Sequence, residues 1–478
     1  MLTAPPLWAQ PIASRPRRPH LLRTVSFVLL FNLGILTTFG LLVLLLPLRI
    51  IRATRPLYVR LGKGAFGTLL VFVVREFAPT EVVVSGGEGV DAKKWTQLNE
   101  NNEIVSLDLP DKAVWISNHS TLIDWLYLWA FTYTSGHHDS LYIALKSSLR
   151  KIPIIGWSAQ LFNFIFLDRK WETDRTNFRR QLGRIARTTL DGGEGEKAAV
   201  LIFPEGTITT DNTRGISAKY AAKTGVKDYK HLLLPRSTGL FYALRHLALT
   251  LPNLHLIDLT IAYPIPHRSP SSTNPYPSLF ASDYYNIPSV LVFSVPPPEL
   301  HIHIRSCPIS AIPLGDLDNL KKQSAAEGEE GDVEPTEGER RAFEEWLKER
   351  WDEKERLLER FRTEGSFVAA QLRKGKNDED EGEDDRRPGE LVWRPHLRNG
   401  WENLYAFSFF VPVLIVGLLW WYASSMLGAV LGRTGGTQEI AAVVEPIKTA
   451  ACGCCRGKVR EKAVETAQAT VRSLLKEL

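Results

Sequence analysis

The sequence predicts an α/β layer fold held between two apolar segments, and three observations predict it. Between Lys112 and Pro308, short β-branched and aromatic runs alternate with helical patterns, as strands alternate with the helices that cover them. Val25 to Leu48 is apolar except for Ser26, Asn32, Thr37 and Thr38. Leu404 to Leu431 carries no charged residue, a length that favours a membrane environment.

Composition sets the bounds. The chain has 478 residues, enough for two or three ordinary domains. Its 44% hydrophobic and 10% aromatic content allows a large core, while a mean hydropathy of -0.11 excludes a polytopic carrier. Lys+Arg number 58 and Asp+Glu 53, a net charge of +5 that hides strong segregation along the chain. Four cysteines, Cys307 and the trio Cys452, Cys454 and Cys455, form no spaced framework of pairs. A disulfide-stapled secreted fold is therefore not expected. The trio is either a palmitoylation site or an exposed reduced cluster, and no histidine lies near enough for zinc.

Residues 1–24 read as a basic tail and 25–90 as the anchor region. At 1.5 Å per residue, Val25 to Leu48 reaches about 36 Å, enough for a bilayer core of roughly 30 Å. A signal peptide has a shorter apolar core, and this run ends in Pro47 and basic residues. Arginines flank both ends, Arg15, Arg17, Arg18 and Arg23 before it and Arg49, Arg52, Arg55 and Arg60 after it, so charge assigns no orientation. "AFGTLLVFVV", residues 65–74, is too short to span and suits an interfacial or core-docking helix.

Residues 91–320 form the main domain. "AVWIS", "YIAL", "AAVLIFP", "LHLIDLTIAYP" and "LVFSV" are strand-type runs. A helix is expected from Thr173 or Asp174, with Phe178, Leu182 and Ile185 on one apolar stripe. Arg175, Arg179, Arg180, Arg184 and Arg187 cover the rest, either as a solvated face or as a surface for anionic headgroups. With no interleaved aromatics, this helix gives no support to nucleic-acid binding.

Within 321–400, two acidic stretches from Ser324 and from Lys376 read as solvated linkers. The helix between them presents Phe343, Trp346, Leu347, Trp351, Leu357, Leu358 and Phe361 on one face, a docking surface for the main domain. Residues 401–432 are the second membrane segment, and 433–478 a tail ending in an amphipathic helix after Arg456. No internal repeat is visible.

The chemistry starts at "VWISNHSTLIDW", residues 114–125. Asn118-His119-Ser120 is a glycosylation sequon, and His119 precedes Asp124 by five residues. On one continuous helix the two side chains would stand roughly 140° apart and would not meet. After a strand, with Ser120 or Thr121 as N-cap and Asp124 in the first turn, the carboxylate turns back to the imidazole. An oriented His–Asp pair is a general base, and equally a structural pair at a strand–helix junction. No G-x-S-x-G nucleophile elbow occurs, so a base here acts directly on a substrate hydroxyl. Phe203-Pro204-Glu205-Gly206-Thr207 is a turn at a strand's C-terminal end, where Gly206 permits close approach and its N–H can donate. Glu205 repels phosphate and suits a cation or a hydroxyl. Arg169, Lys170 and Arg236 are phosphate partners by type. His301 and His303 share a strand face as a metal pair would, without a carboxylate motif to complete the site.

Taken in order, "NHSTLID", "FNFIFLDR", "FPEGT" and "LLLPRSTG" resemble the four blocks of the glycerolipid acyltransferase family. "NHSTLIDWLYLW", "LKSSLRKIPIIGW" and "RWDEKERLLERF" resemble its lysocardiolipin/lysophosphatidylinositol acyltransferase branch, over roughly residues 110–430. The resemblance implies a mixed β-sheet flanked by helices. It implies His119 and Asp124 as catalytic residues, and Arg169, Phe203, Pro204, Glu205, Gly206, Thr207, Pro235 and Arg236 as substrate-binding residues. It implies acyl-CoA as co-substrate with no cofactor and no metal, a lysophospholipid acceptor, and a bilayer, with the motif on the cytosolic face of the endoplasmic reticulum. A non-catalytic lipid-binding protein of the same fold is the alternative. The third block reads "GTI" rather than "GTR" or "GTS", so a common positive charge is missing there.

Overall fold

The structure is a computed structural model that describes residues 5–16, 20–168, 170–266, 280–326, 334–369, 389–407 and 417–426. Arg169, Cys452, Cys454, Cys455, the terminal helix after Arg456 and the acidic stretch from Lys376 lie outside them. The chain forms two compact units, Met1–Val411 and Pro412–Leu478. In the second, a helical segment at 417–426 exposes Trp420 and Trp421.

The first unit opens with α1 (Leu21–Leu44), which ends where Pro47 sits in the first turn of α2 (Leu46–Ile50). α3 (Arg55–Phe77) follows. The apolar stretch at 65–74, expected to be too short to span, is the second half of this 23-residue helix, because "RPLYVRLGKG" before it is helical too. Both α1 and the 52–77 segment are long and apolar enough to cross a membrane. They differ in what covers them: 33% of the apolar stretch of α1 is buried against 72% of the second. Gly34 of α1 faces Leu69 of α3 so closely that a Cβ would come within 2.5 Å of it, which lets the two helices pack backbone to side chain.

Next come β1 (Glu81–Gly86), α4 (Ala92–Trp95) and a two-stranded ribbon of β2 (Thr96–Leu98) and β3 (Ile104–Leu107). β4 (Lys112–Ser117), α5 (Asp124–Thr132), β5 (Leu141–Lys146), α6 (Ile155–Leu161), β6 (Ile165–Leu167), α7 (Trp171–Asp191) and β7 (Ala198–Ile202) carry the alternation that the sequence shows. α8 (Asp211–Thr224) starts with a Thr210/Thr213 capping box and ends at Gly225 with φ 70°. α9 (Ser237–Thr250), β8 (His255–Ala262), β9 (Glu299–Pro308), α10 (Leu317–Ala326), α11 (Glu337–Glu364), β10 (Glu390–Trp393) and α12 (Trp401–Phe407) complete the unit.

Three local expectations are corrected. "LVFSV" is not a strand: Pro288–Val292 is a helical turn begun by Pro288, and Pro296, Pro297 and Pro298 after it cannot donate to a ladder, so the strand falls on 299–308. α7 begins at Trp171, and Asp174 accepts the Asp168 and Lys170 N–H groups instead of starting the helix. The first acidic stretch is helical at both described ends, because a Thr336/Glu339 capping box starts α11 inside it.

Eight strands form one mixed sheet in the order β10-β1-β9-β8-β4-β7-β5-β6. β4 runs parallel to both β8 and β7, while β8 and β9 are antiparallel. β1 and β10 join it from outside the 91–320 span. Helices cover both faces, so strands read as near-continuous apolar runs. Ala113, Trp115, Ile257 and Leu259 pack with α1, α3 and α5. Val114, Ile116 and Leu256 pack with α7, α9 and α11, the last burying Phe343, Leu347, Trp351, Leu357, Leu358 and Phe361. Burying one such side chain contributes about 1.5–3 kcal/mol, so the amphipathic face holds α11 on the sheet.

Candidate active site

Three adjacent parallel strands, β8, β4 and β7, end at the same edge of the sheet. That edge is where open α/β sheets bind ligands. His119 follows β4, the Phe203–Thr207 turn follows β7, and Tyr263 follows β8.

Asn118 fixes the first of these loops. Its side-chain amide donates to the Ile261 carbonyl at 3.0 Å and accepts from the Ile261 N–H at 2.8 Å, acting as an extra rung between β4 and β8. Both amide atoms are occupied and the residue is 2% exposed, so the sequon has no room for a sugar.

Asp124 is the first residue of α5 and is fully buried. The expected Ser120 or Thr121 side-chain cap is absent; the Thr121 hydroxyl donates to the Tyr285 carbonyl instead. Asp124 draws the loop together itself. Its Oδ2 accepts the His119 Nδ1 hydrogen at 2.8 Å and the Ser120 and Thr121 N–H groups at 2.7 and 3.0 Å. Its Oδ1 accepts the Tyr263 hydroxyl at 2.8 Å. A carboxylate can only accept, so Nδ1 carries the hydrogen and Nε2 is the basic nitrogen. Burial, with the Asp124 charge beside it, pushes the Tyr263 phenol well up, so it stays a donor.

The second loop grips His119 from the other side. The His119 N–H donates to Glu205 Oε2 at 3.1 Å, and the Thr209 N–H donates to the His119 carbonyl at 2.9 Å. The imidazole stacks on Phe203, with centroids 4.2 Å apart and planes 20° apart. The Gly206 N–H, expected to be available, closes the turn onto the Phe203 carbonyl at 2.9 Å, with Gly206 at φ 72°. Glu205 is buried with its Oε1 unpartnered, and burial pushes its carboxyl up to about 8 against the pull of the His119 and Leu233 N–H groups and of Lys354. At neutral pH it is therefore mostly protonated.

A cavity of about 830 Å³ opens on these groups, lined by His119, Phe203, Pro204, Glu205, Gly206, Thr207, Pro235 and Arg236. Arg236 is tied in by its N–H to the Pro204 carbonyl, and its guanidinium lies against Gly206. Lys146, at the end of β5, lines the same space and was not singled out from the sequence. Lys170 is exposed and its N–H is held by Asp174. His301 and His303 lie elsewhere, on β9 against Phe367, with Glu299 and Ser85 as polar partners. Sequence reasoning also passed over Tyr263, Asn118 as a clamp, and Lys354. The available signals were a tyrosine closing "LTIAY" and a lone lysine on the apolar side of an amphipathic helix.

Comparison with known proteins gives the family. The Acyltransferase family model matches residues 100–263, the span from before His119 to Tyr263. An uncharacterized acyltransferase of Schizosaccharomyces pombe is 31% identical over 72% of this chain and 87% of its own length. This chain belongs to the acyltransferase family. Another acyltransferase, the 2-acyl-1-lysophosphatidylinositol acyltransferase of Saccharomyces cerevisiae, is 30% identical over 64% of this chain and 76% of its own. The lysocardiolipin acyltransferase 1 of Danio rerio is 31% identical over 52% and 53%, respectively.

Proposed function

We propose that this acyltransferase is a membrane-bound acyl-CoA:lysophospholipid O-acyltransferase. The observation that carries the reading is the buried Tyr263–Asp124–His119 chain of hydrogen bonds facing a cavity walled by Phe203–Thr207 and Arg236. His119 Nε2 takes the proton of a free glycerol hydroxyl as its oxygen attacks the thioester carbonyl. Asp124 holds the tautomer and stabilises the imidazolium. The tetrahedral intermediate collapses, the C–S bond breaks, and the thiolate leaves as coenzyme A by taking the proton from His119. Arg236 and Lys146 take the lysolipid phosphate, joined by Arg169 on the strength of the family motif. The Phe203–Thr207 turn and Pro235 hold the glycerol. Ile208, the uncharged end of the "GTI" that stands in place of "GTR" or "GTS" in the resemblance, leaves Arg236 and Lys146 a larger share of that contact.

The relatives named for lysophosphatidylinositol and lysocardiolipin support an anionic lysophospholipid as acceptor. The two apolar helices support membrane association, and the same reading puts the motif on the cytosolic face of the endoplasmic reticulum. The test is a lysolipid and acyl-CoA panel on membranes from cells overexpressing the protein. Free thiol is expected only when both substrates are present. Lysolipid binding by the purified protein without any coenzyme A release favours the non-catalytic reading.

Glu205 gives the reading a pH signature. Below about 8 its carboxyl is neutral and offers an O–H to a substrate hydroxyl; above that value it becomes an anion beside Asp124 and repels the lysolipid phosphate. The kcat/KM profile is therefore expected to descend above about pH 8. In Glu205→Gln, neutral at every pH, that descent disappears. An unchanged descent in the variant removes Glu205 from this role.

A further inference from the structure

Two adjoining cavities lie on another part of the first unit, where the end of α1 meets α6 and α7. The larger, about 460 Å³, has Phe39, Val43, Leu46 and Trp157 in its lining, together with Arg49, Arg150 and Arg184. The smaller, about 310 Å³, is lined by Arg49, Arg55, Arg184 and Arg187 with Asn163 and Thr188. Arg49 and Arg184 belong to both, and neither lining includes an aspartate or a glutamate. The nearby Asp191 is taken by Arg52. Arg55 Nε and Arg150 Nε donate to neutral acceptors, the Arg49 carbonyl and the Gln160 side-chain oxygen, so these hydrogen bonds cancel no charge among the described residues. Five arginines thus converge on a concave surface whose other lining is apolar.

The apolar lining continues along the first helix. Leu22, Leu29, Leu36 and Val43 of α1 are 82%, 64%, 52% and 51% exposed. Their seven-residue spacing drifts only about 20° per repeat, so they form one stripe. The stripe ends at Val43, which lines the larger cavity. A ligand with a negatively charged phosphate head and long apolar tails matches both halves: the head on the arginines, the tails along Phe39, Val43, Leu46 and the α1 stripe. A soluble phosphate compound leaves the apolar half in contact with water.

We propose that this is a binding site for an intact anionic glycerophospholipid of the bilayer, separate from the acyl-transfer cavity. It couples the arginine-rich face of α7 to the membrane by charge and α1 by apolar contact. The proposal rests on membrane association and not on the acyl-transfer reading.

The test uses the full chain purified into nanodiscs of nine parts phosphatidylcholine to one part phosphatidylglycerol, then re-extracted into detergent, with the retained lipid quantified by class. Wild type is expected to retain phosphatidylglycerol enriched at least fivefold over its share in the disc. Arg184→Gln/Arg187→Gln, at exposed positions, is expected to abolish the enrichment, and Arg49→Gln serves if that variant fails to fold. Arg236→Gln, in the acyl-transfer cavity, leaves the enrichment in place. No enrichment in wild type, or equal enrichment in the α7 variant, overturns the proposal. Loss in Arg236→Gln moves the lipid to the acyl-transfer cavity, and displacement by millimolar coenzyme A assigns the arginines to a soluble phosphate; either result overturns it too.

Discussion

Replacing His119 by alanine is expected to lower kcat for acyl transfer by about 10²–10⁴-fold, the usual contribution of a positioned general base. The measurement is free thiol release from acyl-CoA in the presence of lysolipid. The variant is a fair test because the loop survives without the imidazole. Asp124 keeps three of its four donors, the Ser120 and Thr121 N–H groups and the Tyr263 hydroxyl. The backbone of residue 119 stays clamped by Glu205 and Thr209. Asp124→Asn is a poorer test. Four donors converge on that carboxylate, and an asparagine fits them only with its oxygen in the place of Oδ2 and its N–H₂ donating to the Tyr263 hydroxyl; turned the other way, the N–H₂ meets three N–H donors. Its loss of activity mixes a wrong tautomer with a disturbed loop. A folded His119→Ala protein that transfers acyl groups at the wild-type rate would falsify the assignment of the base.

Lys354→Met is expected to destabilise the fold by about 3–5 kcal/mol, the cost of breaking a buried ion pair by removing one partner. Lys354 projects from α11 and is fully buried at β8. Its Nζ pairs with Asp258 and donates to the Leu259 carbonyl at 2.5 Å and to the Thr260 hydroxyl at 3.3 Å. Asp258 also pairs with Arg305, which in turn pairs with Glu353. Burial pushes the Asp258 carboxyl up, but Lys354 and Arg305 outweigh it and hold it below the usual range. Without Lys354 that carboxylate has one cation left, and a buried carbonyl loses a donor. Unfolding of the purified chain by heat or denaturant measures the loss. Adding Asp258→Asn removes the stranded charge, so the double variant should lose less than Lys354→Met alone. A single variant within about 0.5 kcal/mol of wild type, the range of an ordinary surface change, sinks the idea. Lys354 also pulls the Glu205 carboxyl down, so its loss raises that group further and shifts the pH profile upward.

The fold was legible where periodicity is local. The runs at 113–117, 142–145, 198–204 and 254–264 overlie β4, β5, β7 and β8 because apolar strands between helical patterns need no distant information to be recognised. The run at 291–295 failed because five residues, four of them apolar, before three prolines fit a strand no better than a helical turn, and packing decided. The pairing of His119 with Asp124 was legible too, since both belong to one loop. The roles of Asn118, Tyr263 and Lys354 were not. Their partners lie 143, 139 and 95 residues away, and nothing local marks them.

Local pattern alone gave the strands at β4, β5, β7 and β8 and the helix of α7 between them, the apolar segments at 25–48 and 404–431, the amphipathic face of the helix after Thr336, and the acyltransferase blocks around His119, Glu205 and Arg236. These are properties of short windows, set by side-chain spacing and residue chemistry. Only the tertiary structure decided that β8, β4 and β7 lie side by side and so bring Tyr263, His119 and Glu205 to one edge. It alone showed the Gly206 N–H spent inside its turn, the Glu205 carboxyl desolvated, and five arginines converging at the end of α1. Strand order, burial and charge convergence depend on which distant segments pack together, and that follows from the cooperative filling of one core rather than from any local pattern.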